Sequence, residues 1–310
     1  MKKLLWMMVV CTCLWACTKD QVEDCSNPPE NKSRYSDYFV FIADDGGTPL
    51  VVPIDINWNP TTDGFFQEFK SWHGTSANWP INYYTADQVA TACEIPQEGL
   101  DQPDNDLFQF NKQSRQITTE ISGAPKMTWN VPPSTAWVRV PDASTELETY
   151  AFKTTVEVGS TTRSGWAVYE RIRAEPGTNN FTADFATYFW FPLVVNNNLY
   201  HFEQHKGEQR AIRWQDNNGT IDVDTLLQFG MVVTATAPDS TSGRAAIPEQ
   251  FSVTVPTWNI NITVNSTGFQ VGYGPSYPNG LGVYRQSLLE ATSTSTDQGY
   301  GMLEFIVERD

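Results

Sequence analysis

Two glutamates in matching segments are the first candidates for chemistry. Glu170 lies in Gly165–Ile172 (GWAVYERI), and Glu304 lies 134 positions later in Gly299–Ile306 (GYGMLEFI). Alternate residues of a strand share a face, so each glutamate is expected on a largely apolar face. Burial raises the pKa of a carboxyl group, and such a group in a ligand cavity can act as a general acid. The alternative is a structural pair with an arginine or a backbone donor.

A second candidate is the set His201, Glu203 and His205, which alternates along one predicted strand. Two imidazoles and a carboxylate on one face can hold a transition metal. Tyr200 and Phe202 occupy the opposite face and are the better candidates for the core. The simplest arrangement therefore places the two histidines in solvent, where they form an ordinary polar face.

Aromatic residues supply candidate ligand contacts, since the chain contains 11 Trp, 12 Tyr and 17 Phe. Trp72 and Trp79 are flanked by Gly, Ser and Asn, and we interpret them as platforms on which a sugar could stack. Trp166, Trp190 and Tyr300 are expected to line a cavity for a hydrophobic ligand. Packing in a core is the alternative for each of them.

Cofactor motifs are largely lacking. The acidic segments 101–106 and 216–222 offer oxygen ligands for calcium, but neither follows the EF-hand spacing. Polar turns are the alternative. The sequence has no nucleophile elbow, phosphate-binding loop or dinucleotide fingerprint. We therefore expect no cofactor, with calcium or a transition metal as the open alternative.

The elements that must position these residues are short strands. Alternating or apolar runs such as 38–42 and 251–255 are separated by turn signals, and Asn218-Gly219 is typical of a tight hairpin. Only Ala86–Cys93 has a pattern that favours a short helix. The sequence predicts an all-β protein with two tandem antiparallel barrels or sandwiches.

The two glutamate segments also indicate a duplication. Each follows a Ser/Thr-rich turn, and each closes one half of the chain. The sequence thus predicts two β-domains, 35–174 and 175–310. Lipocalin-like barrels are preferred, and a pair of immunoglobulin-like sandwiches is the alternative.

The first residues predict export. Lys2 and Lys3 precede an apolar run, Leu4–Trp15, which is too short to span a membrane and is typical of a secretion signal. Leu14–Cys17 resembles the lipobox of bacterial lipoproteins. That resemblance implies removal of residues 1–16 and a lipid on Cys17.

The segment that follows is polar and acidic. Thr18–Asp24 resembles the signal that sends Bacteroidota lipoproteins to the outer face of the outer membrane. A plain solvated spacer is the alternative. Residues 17–34 are therefore expected to be a tether, and the protein is expected on the outer membrane, on the cell surface.

Charge and cysteine content limit the partners. The net charge of −16 disfavours binding to nucleic acid. Of five cysteines, only Cys25 and Cys93 remain beyond Cys17, and an oxidising compartment would permit a disulfide between them. The expected partners are the membrane, through the lipid, and a small ligand.

The body of the chain resembles a known family, the tandem lipocalin-like proteins of the carotenoid-hydratase and AttH type. The resemblance lies in an aromatic strand and its hairpin, a Pro–aromatic segment and a Gly–aromatic–Glu closing strand. The corresponding residues are 65–74, 188–193, 199–202, 217–219, 247–256 and 299–304. The family's acidic catalytic segment has no counterpart here, so no catalytic residue is transferred from it.

Three functions remain open from the sequence. The first is a lipid-anchored protein that binds a hydrophobic or glycan-like small ligand, without catalysis. The second, implied by the resemblance, is a hydratase, cyclase or isomerase with Glu170 or Glu304 as its acid. The third is a non-catalytic partner in an outer-membrane complex.

Overall fold

We describe the protein from a computed structural model. The structure describes residues 34–61, 64–75, 78–90, 108–111, 114, 116–119, 127–130, 136–141, 145–174, 189–205, 208–238, 245–273, 282–293 and 298–308. Nearly all of them lie in antiparallel strands, as the alternating pattern predicts. No helix among these residues is long and apolar enough to cross a membrane.

The first sheet contains ten strands in the order β4-β3-β2-β1-β10-β9-β7-β6-β5, with β8 paired to β9. It covers the chain up to Ala174. The strands are β1 Arg34–Ala43, β2 Val51–Thr61, β3 Gly64–Thr75, β4 Asn78–Ala90, β5 Phe108–Asn111, β6 Gln116–Thr119, β7 Met127–Asn130, β8 Ala136–Pro141, β9 Thr145–Val158 and β10 Thr161–Ala174.

The second sheet contains nine strands in the order β14-β13-β12-β11-β19-β18-β17-β16-β15. Apart from β8, each position in this order matches one in the first sheet, so β1 corresponds to β11 and β10 to β19. The strands are β11 Phe189–Val195, β12 Asn198–His205, β13 Glu208–Asn217, β14 Thr220–Leu226, β15 Gly230–Pro238, β16 Ala245–Val255, β17 Ile260–Tyr273, β18 Gly282–Ser293 and β19 Gln298–Glu308; a short 3-10 helix, Pro256–Trp258, precedes β17.

Local signals account for the turns and for one wrong prediction. Asn218 and Gly219 have φ angles of 56° and 89°, which is the left-handed geometry expected of an Asn-Gly hairpin. The predicted helix at Ala86–Cys93 is wrong, because residues up to Ala90 continue β4 and pair with β3. Ladder hydrogen bonds to β3 override the weak helical pattern there.

Two glycines allow the closing strands to approach their neighbours. A Cβ on Gly165 would lie 2.1 Å from the carbonyl oxygen of Ile42, and one on Gly299 would lie 2.4 Å from that of Val194. Real side chains cannot occupy such positions. The glycine that begins each repeated segment is therefore required by the pairing of β10 with β1 and of β19 with β11.

Both faces are buried in the central strands of the sheets, namely β1 and β10 in the first sheet and β11, β12 and β19 in the second. One face of the second sheet forms a core of its own, which includes Phe191, Phe202 and Phe251. One face of the first sheet packs Phe39 and Phe41 against Trp129. The other faces of the two sheets pack against each other, and we call this contact the interface. Its buried apolar residues are Tyr38, Val40, Ile42, Val51, Ala151, Trp166, Val168, Trp190, Val194, Leu199, Ile212, Trp214 and Met302.

Candidate functional site

A group of polar side chains lies within the apolar interface. Glu170 comes from β10, His201 and Glu203 from β12, and Glu304 from β19. Their exposed fractions are 2%, 1%, 5% and 5%. We call these four residues, with Thr149 and Arg210, the polar cluster. It is the part of the described structure where ionisable groups from both sheets meet in a buried setting.

The burial of His201 corrects the expectation that the histidines face solvent. Tyr200 and Phe202 do occupy the core face, as predicted. The opposite face of β12 packs against the first sheet, and this buries His201 and Glu203 as well. A pattern of alternate residues identifies one core face, but it does not show that a second domain covers the other.

Glu170 is held by neighbours from both sheets. The Thr149 hydroxyl, directly opposite on β9, donates a hydrogen bond of 3.1 Å to its Oε1 atom. The His201 Nε2 atom lies 3.5 Å from the same oxygen, too long and poorly aligned for a hydrogen bond. The Trp190 indole also stabilises the carboxylate, although its N–H makes no hydrogen bond of standard geometry.

Glu170 retains a proton at neutral pH. Burial raises its pKa, the negative charges of Glu203 and Glu304 raise it further, and Trp190 and Thr149 oppose this only in part; the resulting pKa is about 8. Desolvation is the largest of these effects, because a carboxylate out of water loses its hydration. Glu170 is therefore a carboxylic acid with a proton to donate.

His201 is neutral in the same environment. Burial, with a smaller contribution from the positive charge of Arg210, lowers its pKa to about 3. Neither of its ring nitrogens has a hydrogen-bond partner, and the same is true of the indole N–H groups of Trp190 and Trp214. The His201 ring lies 5.1 Å from the Trp190 ring and 6.3 Å from the Trp214 ring, centroid to centroid. Unsatisfied buried donors are costly, so these three rings form a surface suited to a bound polar group.

Glu203 has a different partner from Glu170. The Arg210 Nη1 atom, opposite on β13, donates to its Oε2 atom at 3.1 Å. The pKa of Glu203 is raised above its ordinary value, because burial raises it by more than the Arg210 guanidinium lowers it. The two side chains are 6% and 13% exposed. A charge-assisted pair of this kind favours the ionised carboxylate.

Aromatic contact joins the two sheets beside the cluster. Tyr38, opposite Glu170 on β1, meets Trp190, opposite Glu304 on β11, edge to face with ring centroids 5.3 Å apart. The Tyr38 hydroxyl donates to the Met302 sulfur at 3.4 Å. Glu170 and Glu304 thus occupy equivalent register positions in the two sheets, on either side of this contact.

The cluster also bears on the predicted metal site. Ligand atoms of Glu170, His201 and Glu203 lie within 4.8 Å of one another, so the structure brings Glu170 to two of the three predicted ligands, His201 and Glu203. Arg210 already neutralises Glu203, and Thr149 binds Glu170. We interpret the cluster as a site that holds a proton.

Of the other predicted site residues, the structure describes the side chains of Trp166 and Tyr300. Trp166 is buried in the interface and donates from its indole to the Asn197 carbonyl at 3.1 Å, while Tyr300 is half-buried at the interface edge. The side chains of Trp72, Trp79 and His205 lie outside the described residues, as do Cys17, Cys25, Cys93 and the segment 101–106. Within 216–222, Asp216 accepts from the Gly219 N–H at 2.8 Å, as a polar turn does.

Sequence reasoning missed Thr149, Arg210 and Trp214. Thr149 pairs with Glu170 and Arg210 pairs with Glu203. Trp214 pairs with Leu199, which lies two residues before His201 on the same strand face. Strand pairing is the signal that finds them, because cross-strand neighbours on one face lie about 5 Å apart. That signal needs the register, which the sequence alone does not supply.

Comparison with solved structures identifies the fold. An AttH-like protein from Nitrosomonas europaea superposes with a TM-score of 0.58 at 14% identity, over 88% of this chain and 91% of that one. Kievitone hydratase from Nectria haematococca gives a TM-score of 0.53 at 14% identity, over 89% of each chain. The fold is lipocalin-like, which confirms that expectation. No protein-family profile and no curated protein sequence matches the chain.

Proposed function

We propose that the protein is an acid–base enzyme of the hydratase type, acting on an uncharged, largely apolar alkene at the interface. The observation that carries the proposal is a protonated, buried Glu170 beside His201, whose two ring nitrogens make no hydrogen bond. The likeness in fold to a hydratase supports the class of reaction. Ligand binding without catalysis, the first hypothesis from the sequence, does not require an acid that retains its proton.

The residues define a balanced reaction. Glu170 transfers its proton to one alkene carbon, and the electron pair of the double bond forms the new C–H bond. The neighbouring carbon becomes cationic, and the faces of Trp190 and Trp214 and the Glu203 carboxylate stabilise that charge. A water oxygen then bonds to this carbon. The proton released by the water returns to Glu170, so the acid is regenerated.

The other members of the site position the reactants. Trp190 and Trp214 can only donate, whereas neutral His201 offers one donor and one acceptor. The acceptor nitrogen of His201 can orient the attacking water, and the indole N–H groups can hold an oxygen of the substrate. An anionic substrate is disfavoured, because the cluster contains three glutamates and only one arginine.

The decisive experiment follows oxygen from water into product. Detergent-solubilised full-length protein would be incubated in ¹⁸O-water with uncharged isoprenoid polyenes and arylalkenes, and labelled alcohols would be detected by mass spectrometry. We expect product from the native protein and none above background from Glu170→Gln. Glu249→Gln, an exposed change of the same kind on β16, is the matched control. Equal product from Glu170→Gln would refute the proposal.

We also propose that this enzyme is tethered to the outer membrane through a lipid on Cys17, facing the cell exterior. The support is the lipobox-like Leu14–Cys17 and the acidic segment that follows. We expect labelled palmitate to be incorporated into the native chain but not into Cys17→Ala. Cleavage of the protein by protease added to intact cells tests the surface location. A protein that resists this protease would argue for the inner face of the outer membrane.

A further inference from the structure

We propose that Arg210 is a positioning residue, whose guanidinium keeps Glu203 ionised and thereby keeps the single shared proton of the two carboxyl groups on Glu170. The inference rests on the proposed function, because it explains which carboxyl group of the cluster is the acid. It can nevertheless be tested without any substrate.

The geometry distinguishes the two carboxyl groups. Glu203 receives a cationic donor, with its Oε2 atom 3.1 Å from Arg210 Nη1. Glu170 receives neutral donors, namely the Thr149 hydroxyl at 3.1 Å and the Trp190 indole. A cationic partner favours the charged form of a carboxyl group far more than a hydroxyl does. Of the pair, Glu203 is therefore the member that ionises first.

The charge on Glu203 then acts on Glu170. Two like charges in a buried setting are costly, and the negative charge of Glu203 raises the pKa of Glu170 more than that of Glu304 does. The groups that face Glu170 are Tyr38 on β1, Thr149 on β9, Trp190 on β11, His201 and Glu203 on β12, and Glu304 on β19. His201 is neutral there, so Arg210, acting through Glu203, is the cation that decides where the proton lies.

The chain offers a matched control on the same strand. Arg213 also lies on β13 and donates to a carboxylate across the β13–β14 ladder, with its Nη2 atom 3.1 Å from Asp224 Oδ2. It extends from the opposite face of the strand, where it lies over the Trp258 ring at 4.9 Å. Arg213→Gln therefore removes one arginine–carboxylate pair from β13 without touching the polar cluster.

The test is infrared titration of the full-length protein, which reports protonated carboxyl groups through their C=O stretch. At neutral pH the native band should disappear in Glu170→Gln and persist in Glu203→Gln. In Arg210→Gln a second band should appear, because Glu203 takes up a proton. The double variant Arg210→Gln/Glu203→Gln should lack this band, which would assign it to Glu203. The midpoint of the Glu170 band should fall by about one pH unit, and Arg210→Lys should restore it. Arg213→Gln should leave it unchanged.

Glu203→Gln provides the second route to the same answer, in case Arg210→Gln fails to fold. It removes the negative charge directly and should lower the Glu170 midpoint as Arg210→Gln does, with no further change when the two are combined. An unmoved midpoint in Glu203→Gln would overturn the inference. So would a stoichiometric divalent metal ion in the purified protein, since it would keep both carboxyl groups ionised.

Activity separates this inference from the proposed function. If hydration is found, Arg210→Gln should move the alkaline limb of the kcat/KM profile down by about one pH unit, with KM little changed. A uniform loss of kcat at every pH would indicate a merely structural role and would count against the inference. If no alkene is hydrated but the infrared result holds, the proposed function fails and the placement of the proton stands.

Discussion

The two halves of this molecule share a strand order but differ in chemistry. In the first half Tyr38 pairs with Glu170, and in the second Trp190 pairs with Glu304, at equivalent positions of the ladders. The strand beside them differs: the position of His201 in β12 is occupied in β2 by Pro53. A duplicated framework thus supplies two glutamates by symmetry, whereas the imidazole comes from one copy only.

The largest expected difference between the halves is catalytic. Glu170→Gln should lower turnover by about 10²- to 10⁴-fold, the usual contribution of a general acid. Glu304→Gln should lower it less than about tenfold, because the charge of Glu304 has the smallest effect on the pKa of Glu170. Initial rates of ¹⁸O incorporation would measure both. A larger loss in Glu304→Gln would reverse the assignment of the acid.

The next difference lies in how stability depends on pH. Glu170 binds its proton more tightly when folded, with a pKa of about 8 against an ordinary value of 4.5. Its stabilising contribution is therefore complete below pH 4.5 and is lost as pH rises through 8, at up to about 1.4 kcal/mol per pH unit. Urea unfolding from pH 5 to 9 should show this slope in the native protein. The slope should be reduced in Glu170→Gln and retained in the exposed control Glu249→Gln.

His201 gives the opposite slope. Its folded pKa of about 3 lies below the ordinary value of 6.5, so its contribution is present above pH 6.5 and is lost as pH falls toward 3. His201→Gln should flatten the acid side of the stability curve, as measured by the same unfolding experiment. An unchanged acid side would mean that His201 is charged in the folded protein.

The closing strands should respond alike in the two halves. Gly165→Ala and Gly299→Ala each force a Cβ against a backbone carbonyl, and each should cost about 1–3 kcal/mol of unfolding free energy. Gly219→Ala, where the added Cβ meets nothing within 4 Å but φ is +89°, should cost about 1–2 kcal/mol from backbone strain alone. A wide disparity between Gly165→Ala and Gly299→Ala would contradict the equivalence of β10 and β19.

The smallest effect concerns the turns that begin each half. Asp45, after β1, binds Arg163 through two hydrogen bonds of 2.6 and 2.7 Å, which lowers the pKa of Asp45. The corresponding turn after β11 uses Asn196 and Asn197 at φ angles of 52° and 61°. Asp45→Asn should cost roughly 1 kcal/mol near neutral pH and progressively less in acid. Asn197→Ala should cost a similar amount at every pH, and chemical unfolding at pH 7 and pH 3 would distinguish the two.

Much of the framework could be predicted from the sequence. Some features depend only on residues that are close together in the sequence. They are the Asn218-Gly219 turn, the alternation along β12 and the segments that begin at Gly165 and Gly299. The site could be predicted only in part. The apolar strand faces predict that Glu170 and Glu304 are buried, but the burial of His201 depends on contact with another sheet, and the roles of Thr149 and Arg210 depend on register. Those are long-range relations that no local pattern contains.

The contrast between Pro53 and His201 has a consequence for how such a site can arise. Two identical subunits that met through this interface would carry the same residue at both positions, because the symmetry of a homodimer repeats every substitution. Joining the two copies in one chain removes that constraint. One copy can then acquire a histidine at this position while the other copy keeps a proline at the equivalent position. The fused pair thus allows an asymmetric set of polar side chains on a nearly symmetric framework.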